Sequence, residues 1–244
     1  MTIMARSMDF KALNAQVRNA DTDVSIKECY GQRFIGSGAK HKSITIDGTP
    51  GNALGAYLDG AVIEVNGNAQ DAVGDTMNDG KIIIHGNAGD ALGYAMRGGI
   101  IFVRGDAGYR CGIHMKQYQS KRPVIVVGGS AGSFLGEYLA GGIIIVLGLG
   151  EDSPPIGNFT GTGMHGGRIY IRTNAELTGS AAATKFPDQV TAEMASVEDM
   201  LDIEPYLASF ARHFEICAGA LKNERFIVLK PNAKNPYKRL YTPN

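Results

Sequence analysis

The side chains able to do chemistry are few and scattered along this 244-residue chain. His85, His114 and His165 invite a metal check, and so do Cys29, Cys111 and Cys217. Zinc needs three or four N, S or O ligands converging on one point. His85 precedes one repeated glycine, His114 follows another, and His165 lies in a stretch where the repeat breaks, so the three do not converge. No two cysteines form a CxxC. Gly161-Thr162-Gly163-Met164-His165-Gly166 matches GxGxxG by letter. A dinucleotide fingerprint needs a helix after it, so that phosphate meets a helix N-terminus, whereas a strand-like RIYIR follows here. GQRFIGSG (31–38) lacks the Lys-Ser/Thr of a P-loop. No Ser/His/Asp set or carboxylate pair stands out, so no catalytic, cofactor-binding or metal-binding residue is assigned.

What would position such residues is a repeat. Gly48, Gly67, Gly86 and Gly105 stand nineteen residues apart, and Gly55, Gly74, Gly93 and Gly112 keep the same stride seven residues later. Gly129 and Gly136 resume the seven-residue step after an insertion of five residues. A fixed period near twenty is the signature of stacked repeats. Before each marker glycine lies a short β-branched run: 61–66, 81–85, 100–104, 124–128, 143–147 and 168–172. Such runs are strands, and the twelve residues from Gly55 to Gly67 leave no room for a crossover helix. The expected fold is all-β, a single-stranded, right-handed parallel β-helix of about seven coils.

The columns agree. Ile63, Ile82, Ile101, Ile125, Ile144 and Ile169 share one repeat position, and Val65, Ile84, Val103, Val127, Val146 and Ile171 share another two residues on. Strand side chains alternate faces, so both columns point into the coil. Leu54, Val73, Leu92, Cys111, Leu135 and Ile156 supply a third inward column, which makes Cys111 a small buried hydrophobe. The position between the first two columns holds Glu64, Ile83, Phe102, Val126, Ile145 and Tyr170, which face outward. A strip that apolar is covered either by the chain's own terminal helices or by a partner. Ile83, Phe102, Val126, Ile145 and Tyr170 are therefore the candidate interface residues.

The flanks differ in kind. Residues 1–23 read as an N-terminal helical lead-in, with Ser7 or Asp9 capping a helix whose Phe10, Leu13 and Val17 share a face. Residues 24–180 read as the coil, with opening strands at 24–30, 32–35 and 43–47 and an irregular loop around 148–167. Residues 181–244 read as a helical cap and tail: one helix capped by Ser196, a second starting at Pro205 and ending at Gly219, then a strand at 224–230. The open end of a solenoid must be covered, which is the expected role of these helices. Lys and Arg together number 24, as do Asp and Glu, so bulk charge recruits neither nucleic acid nor an anionic membrane. Few cysteines and no long apolar span point to a reduced, cytoplasmic setting.

In GQRFIG, GNALGAYLDGAVIEVNGNA, GDALGYAMRGGIIFVRGDA and the GIHMK insertion, the chain resembles the GXGXG domain family over about residues 24–180, with similar flanks. That family includes the C-terminal β-helix domain of the glutamate synthase large subunit, its stand-alone counterparts, and one subunit of formylmethanofuran dehydrogenase. The resemblance implies a non-catalytic scaffolding subunit of a glutamate synthase-type complex. Its implied partners are glutaminase-type amidotransferase and FMN-binding synthase subunits, which would carry the FMN and iron–sulfur clusters, with none in this chain. A formylmethanofuran dehydrogenase-like complex is the alternative within the family. An independent β-helix enzyme or ligand-binding protein using residues 150–167 is the alternative outside it, and self-association is a further possibility.

Overall fold

A computed structural model describes residues 1–150, 155–173, 186–217, 219, 221 and 223–232. Nine strands stack in chain order, each parallel to the next: β1 (Thr2–Met4), β2 (Val24–Tyr30), β3 (Ser43–Thr49), β4 (Asp59–Asn66), β5 (Asp79–Ile84), β6 (Ile100–Val103), β7 (Val124–Val127), β8 (Ala140–Val146) and β9 (Gly166–Arg172). They build a β-solenoid of about eight turns. Helix α1 (Phe10–Asn19) falls between β1 and β2. After the solenoid come β10 (Val190–Met194), α2 (Val197–His213) and β11 (Phe226–Pro231). β11 pairs antiparallel with β9, and β10 antiparallel with β11, so one sheet of eleven strands runs the length of the molecule.

Register follows the repeat. Ile63, Ile82, Ile101, Ile125, Ile144 and Ile169 are successive pairing partners, as are Val65, Ile84, Val103, Val127, Val146 and Ile171. All twelve are buried in one interior cluster. Each such side chain contributes about 1.5–3 kcal/mol through burial. At the corners an alanine ladder, Ala69, Ala88, Ala107 and Ala131, forms parallel bridges. Beside it the Oδ1 atoms of Asn68, Asn87 and Asp106 accept from the amides of Asn87, Asp106 and Ser130 at 2.7–2.9 Å. These polar ladders satisfy amides that the corner takes out of the sheet. Gly55 shows why the second glycine set keeps its spacing. Its φ is +64, and a Cβ there would lie 2.7 Å from Ile82 Cδ1.

Several sequence expectations change. Residues 32–35 are a corner, not a strand: Phe34 has φ +61, and the Gln32 side chain donates to the Ala5 carbonyl at 2.7 Å. Ile156 belongs to the alanine ladder, bridged to Ala131, and the leucine-column position is taken by Thr160, which is buried. The reason is that 155–165 is no irregular loop. Gly161 donates to the Leu135 carbonyl at 2.8 Å, as Gly136 does to Cys111, so this stretch completes another coil. The GTGMHG run is its corner and leads into β9. Residues 151–154 lie outside the described set.

Both flanks join the sheet. β1 pairs with β2 within the segment read as purely helical, and β10 adds a strand that no periodicity announced. α1 is capped by Asp9, which accepts from the amides of Lys11 and Ala12 at 2.7 and 3.1 Å. Leu13 and Val17 enter the interior cluster at the first end of the coil. Phe10 stays at the rim, 6.0 Å from Phe34, under the Arg33 guanidinium. At the far end, Val190 and Leu229 from β10 and β11 join the same cluster, so strands and not helices extend the core there. Val197–His213 is one continuous helix with Pro205 inside it, where the sequence suggested a helix capped by Ser196 and a second starting at Pro205. Pro205 is exposed, so the carbonyl it leaves unbonded faces water. The helix stops at His213, short of Gly219.

Candidate interaction surfaces

The apolar strip is occupied. Ile83, Phe102, Val126, Ile145 and Tyr170 are successive pairing partners on the outer face, and Val228 of β11 continues the row beside Tyr170. α2 and its C-cap residue Phe214 lie against them, with Ile203, Leu207, Phe210 and Ala211 spaced to share one helix face. Ile83 is 2% exposed and the other four strip residues are fully buried. Phe210 meets Phe102 edge-on at 6.0 Å and Phe214 at 4.7 Å. These five residues are therefore an internal interface, and no partner can reach them while α2 is seated. Tyr206 of the same helix is only partly buried.

A polar rim fixes the helix. Arg122 chelates Asp202 with two hydrogen bonds of 2.6 and 2.5 Å, and Arg168 lies 3.4 Å from both Asp199 and Asp202. Lys230 donates to Asp199 at 3.1 Å and to Glu193 at 2.7 Å. Ser196 and Asp199 form a reciprocal capping box at the start of α2. Hydrogen bonds from Arg122 hold the Asp202 carboxyl below its usual range. Burial works against ionisation of Asp199, but the bonds from Ser196 and Lys230 outweigh it and its pKa is lowered too. The insertion at 113–122 ties elements together. Lys121 reaches Asp79 at 3.0 Å and Asp59 at 3.7 Å, while the adjacent Arg122 grips α2. It straps the helix to the coils.

The conspicuous titratable residues are spent on packing. His85 lies 2.8 Å from Glu64 and edge-on to Phe214. His114 stacks on Tyr138 with centroids 5.1 Å apart, and His165 Nδ1 lies 3.0 Å from the Gly163 carbonyl. His213 sits 3.4 Å from Lys81, and burial together with that charge lowers its pKa. Burial raises the thiol of Cys29 to about 11 and that of Cys111 to about 12, which makes both unreactive. Among the described residues no group of three or more His, Cys, Asp or Glu side chains could hold a metal ion.

Two aromatic side chains, exposed Phe159 and half-buried Phe134, stack at a corner of the later coils. Phe134 stacks on Phe159 at 5.0 Å, with the Arg110 guanidinium 5.1 Å from the Phe134 ring. Arg110, Phe134 and Phe159 all have positive φ, the same corner position that Ala53, Ala72 and Ala91 fill in earlier coils. Sequence reading passed over this ladder because it followed glycines and aliphatic columns. The signal was the residue two before each glycine of the second set, Gly55 to Gly161.

The GXGXG motif family matches residues 4–226, nearly the whole chain. The chain belongs to the GXGXG family. Among this GXGXG protein's relatives is the uncharacterized protein MJ1350 of Methanocaldococcus jannaschii, 41% identical over 259 aligned residues that span 100% of this chain and 97% of the relative. A solved structure with the same fold is a chain of the formyltransferase/hydrolase complex FhcABCD of Methylorubrum extorquens, crystallised with methylofuran. It superposes with a TM-score of 0.59 at 22% identity, over 84% of this chain and 72% of that one. Among the described residues no helix of this GXGXG protein is long and apolar enough to cross a membrane.

Proposed function

We propose that this chain is a non-catalytic structural subunit of a multi-subunit enzyme, and that the enzyme is of the glutamate synthase type. The observation that carries the reading is that GXGXG coils fill nearly the whole chain, while His85, His114, the buried thiols and the Arg122–Asp202 pair are consumed in holding those coils and α2 together. In this reading a glutaminase-type amidotransferase subunit releases ammonia, and an FMN-binding synthase subunit with iron–sulfur clusters uses it. This chain supplies a stiff platform between them and binds none of those groups itself. A second reading, a platform in a formylmethanofuran dehydrogenase-like complex, is favoured by the fold shared with a chain of FhcABCD.

A native pull-down from the source cell, with partners identified and the eluate assayed, separates the two. Glutamine-dependent glutamate formation by the eluate supports the first reading. Recovery with formyl-transferring or hydrolysing subunits, without glutamate formation, replaces it with the second. Turnover of a substrate by the purified chain alone overturns both.

A further inference from the structure

The first coil, that of β2, differs from every later one in having β1 and α1 beneath it, with no earlier corner below its second-glycine position. At the second-glycine position each turn donates downward: Gly55 to the Ile35 carbonyl, Gly74 to Leu54, Gly93 to Val73, Gly112 to Leu92, Gly136 to Cys111 and Gly161 to Leu135, all at 2.8 Å. Four residues further along, Asp59 donates to Ala39 and Asn78 to Leu58 in the same sense. The equivalent residues of the first coil are Gly36 and Lys40. Neither backbone N–H has a hydrogen-bond partner among the described residues. Between this edge and α1 lies a cleft of about 400 Å³, within the size range of small-molecule sites. Its walls include Asn14, Arg18, Gly36, Ser37, Lys40 and Lys42.

The groups around the cleft are donors and cations. Ser37 Oγ is buried and lacks any hydrogen-bond partner, a costly state that native structures rarely leave unexplained. Arg18, exposed on the last turn of α1, forms no ion pair among the described residues. Lys40 is paired with Asp59 at 2.8 Å. Lys42 is spent on the carbonyls of Val17 and Ala20, at 2.9 and 2.8 Å, which removes the negative end of α1 as a source of repulsion. Asn14 has both amide bonds directed to the carbonyls of Phe10 and Arg33. Two orphan amides, an orphan hydroxyl and a free guanidinium facing one cleft are what an oxyanion requires.

We infer that the cleft between α1 and the first coil binds a small molecule through a phosphate or carboxylate group, held by the Gly36 and Lys40 amides, Ser37 Oγ and Arg18. This is independent of the chain's role in an assembly. The test is a titration of the full ¹⁵N-labelled chain with inorganic phosphate, then with acetate, each against chloride at matched ionic strength. The Gly36 and Lys40 amide resonances should shift saturably with at least one of the two oxyanions and not with chloride. The stronger of the two names the preferred group. Arg18→Gln and Ser37→Ala should each weaken that binding about tenfold, the cost of losing one hydrogen bond to a charged group. Arg18 is on the surface, so its variant keeps the fold, and the remainder of the spectrum verifies this. Indifference of both amides to both oxyanions would show that water alone fills the cleft, and the site would be lost. A titration midpoint in Arg18→Gln equal to that of wild type would equally overturn it.

Discussion

The strand wall of the solenoid is apolar on both sides, and the two sides are closed by different means. Inward, Ile82, Ile101, Ile125 and their partners meet the opposite wall of their own coil, so the cover arrives within a few residues of chain. Outward, Phe102, Val126, Ile145 and Tyr170 wait for α2, which begins at Val197. Two cores of similar burial thus differ in how local their making is. The inner core is built turn by turn, as in any solenoid whose repeats contact their neighbours. The outer one forms only when the chain's end returns along its side.

Separate construction can be tested by damaging each core in turn. The largest effect is expected from Phe102→Asp combined with Ile145→Asp, which places two charges under α2. The loss should exceed about 4–5 kcal/mol, the range reached by unpaired buried charges. Hydrogen exchange should show α2 amides unprotected while β3–β5 stay protected. Protection kept in α2 would show that the helix does not depend on the strip.

Single truncations come next. Phe210→Ala should cost about 3–5 kcal/mol and Ile84→Ala about 2–5 kcal/mol, as large-to-small core changes do. The two should differ in where they loosen the molecule: α2 for the first, the central coils for the second. Exchange profiles that coincide would mean the two cores melt as one.

The rim makes a smaller contribution. Asp202→Asn removes the carboxylate held by Arg122, and should cost about 1–2 kcal/mol for a partly exposed, charge-assisted contact. The folded-state pKa of Asp202 is depressed, so its contribution is present above the ordinary carboxylate value of about 3.9 and fades as pH falls through the lower folded value. Denaturant midpoints of wild type and variant should therefore converge in acid.

His213 gives the outer core a pH dependence of its own. Burial and Lys81 lower its pKa, with Arg212 and His85 adding to this and Glu64 opposing it. The folded state then binds a proton less readily than the unfolded one, and stability is lost as pH falls through the ordinary histidine value of 6.5. His213→Gln should flatten the stability profile in that window, and an unchanged slope would remove His213 from the account. Least of all, Glu64→Ala should cost under about 1 kcal/mol, because its contact with His85 is partly exposed.

The solenoid was legible in the residues themselves. A nineteen-residue stride repeats the same corner and the same inward columns, so local chemistry is restated at every turn and one coil predicts the next. Asp9 and Ser196 as helix caps were legible for the same reason, since a cap acts on amides two or three residues away. Where the pattern broke, at 155–165, letters misled: the coil continued there through backbone hydrogen bonds that any residue can make. What only the tertiary structure decided is non-local. An amphipathic helix and an apolar strip each announce that they need a partner, but neither names it, because burial is non-directional and scales with area. The seating of α2 on the strip, the strap through Lys121 and Arg122, and the orphan amides of Gly36 and Lys40 depend on chain segments whose meeting no spacing encodes.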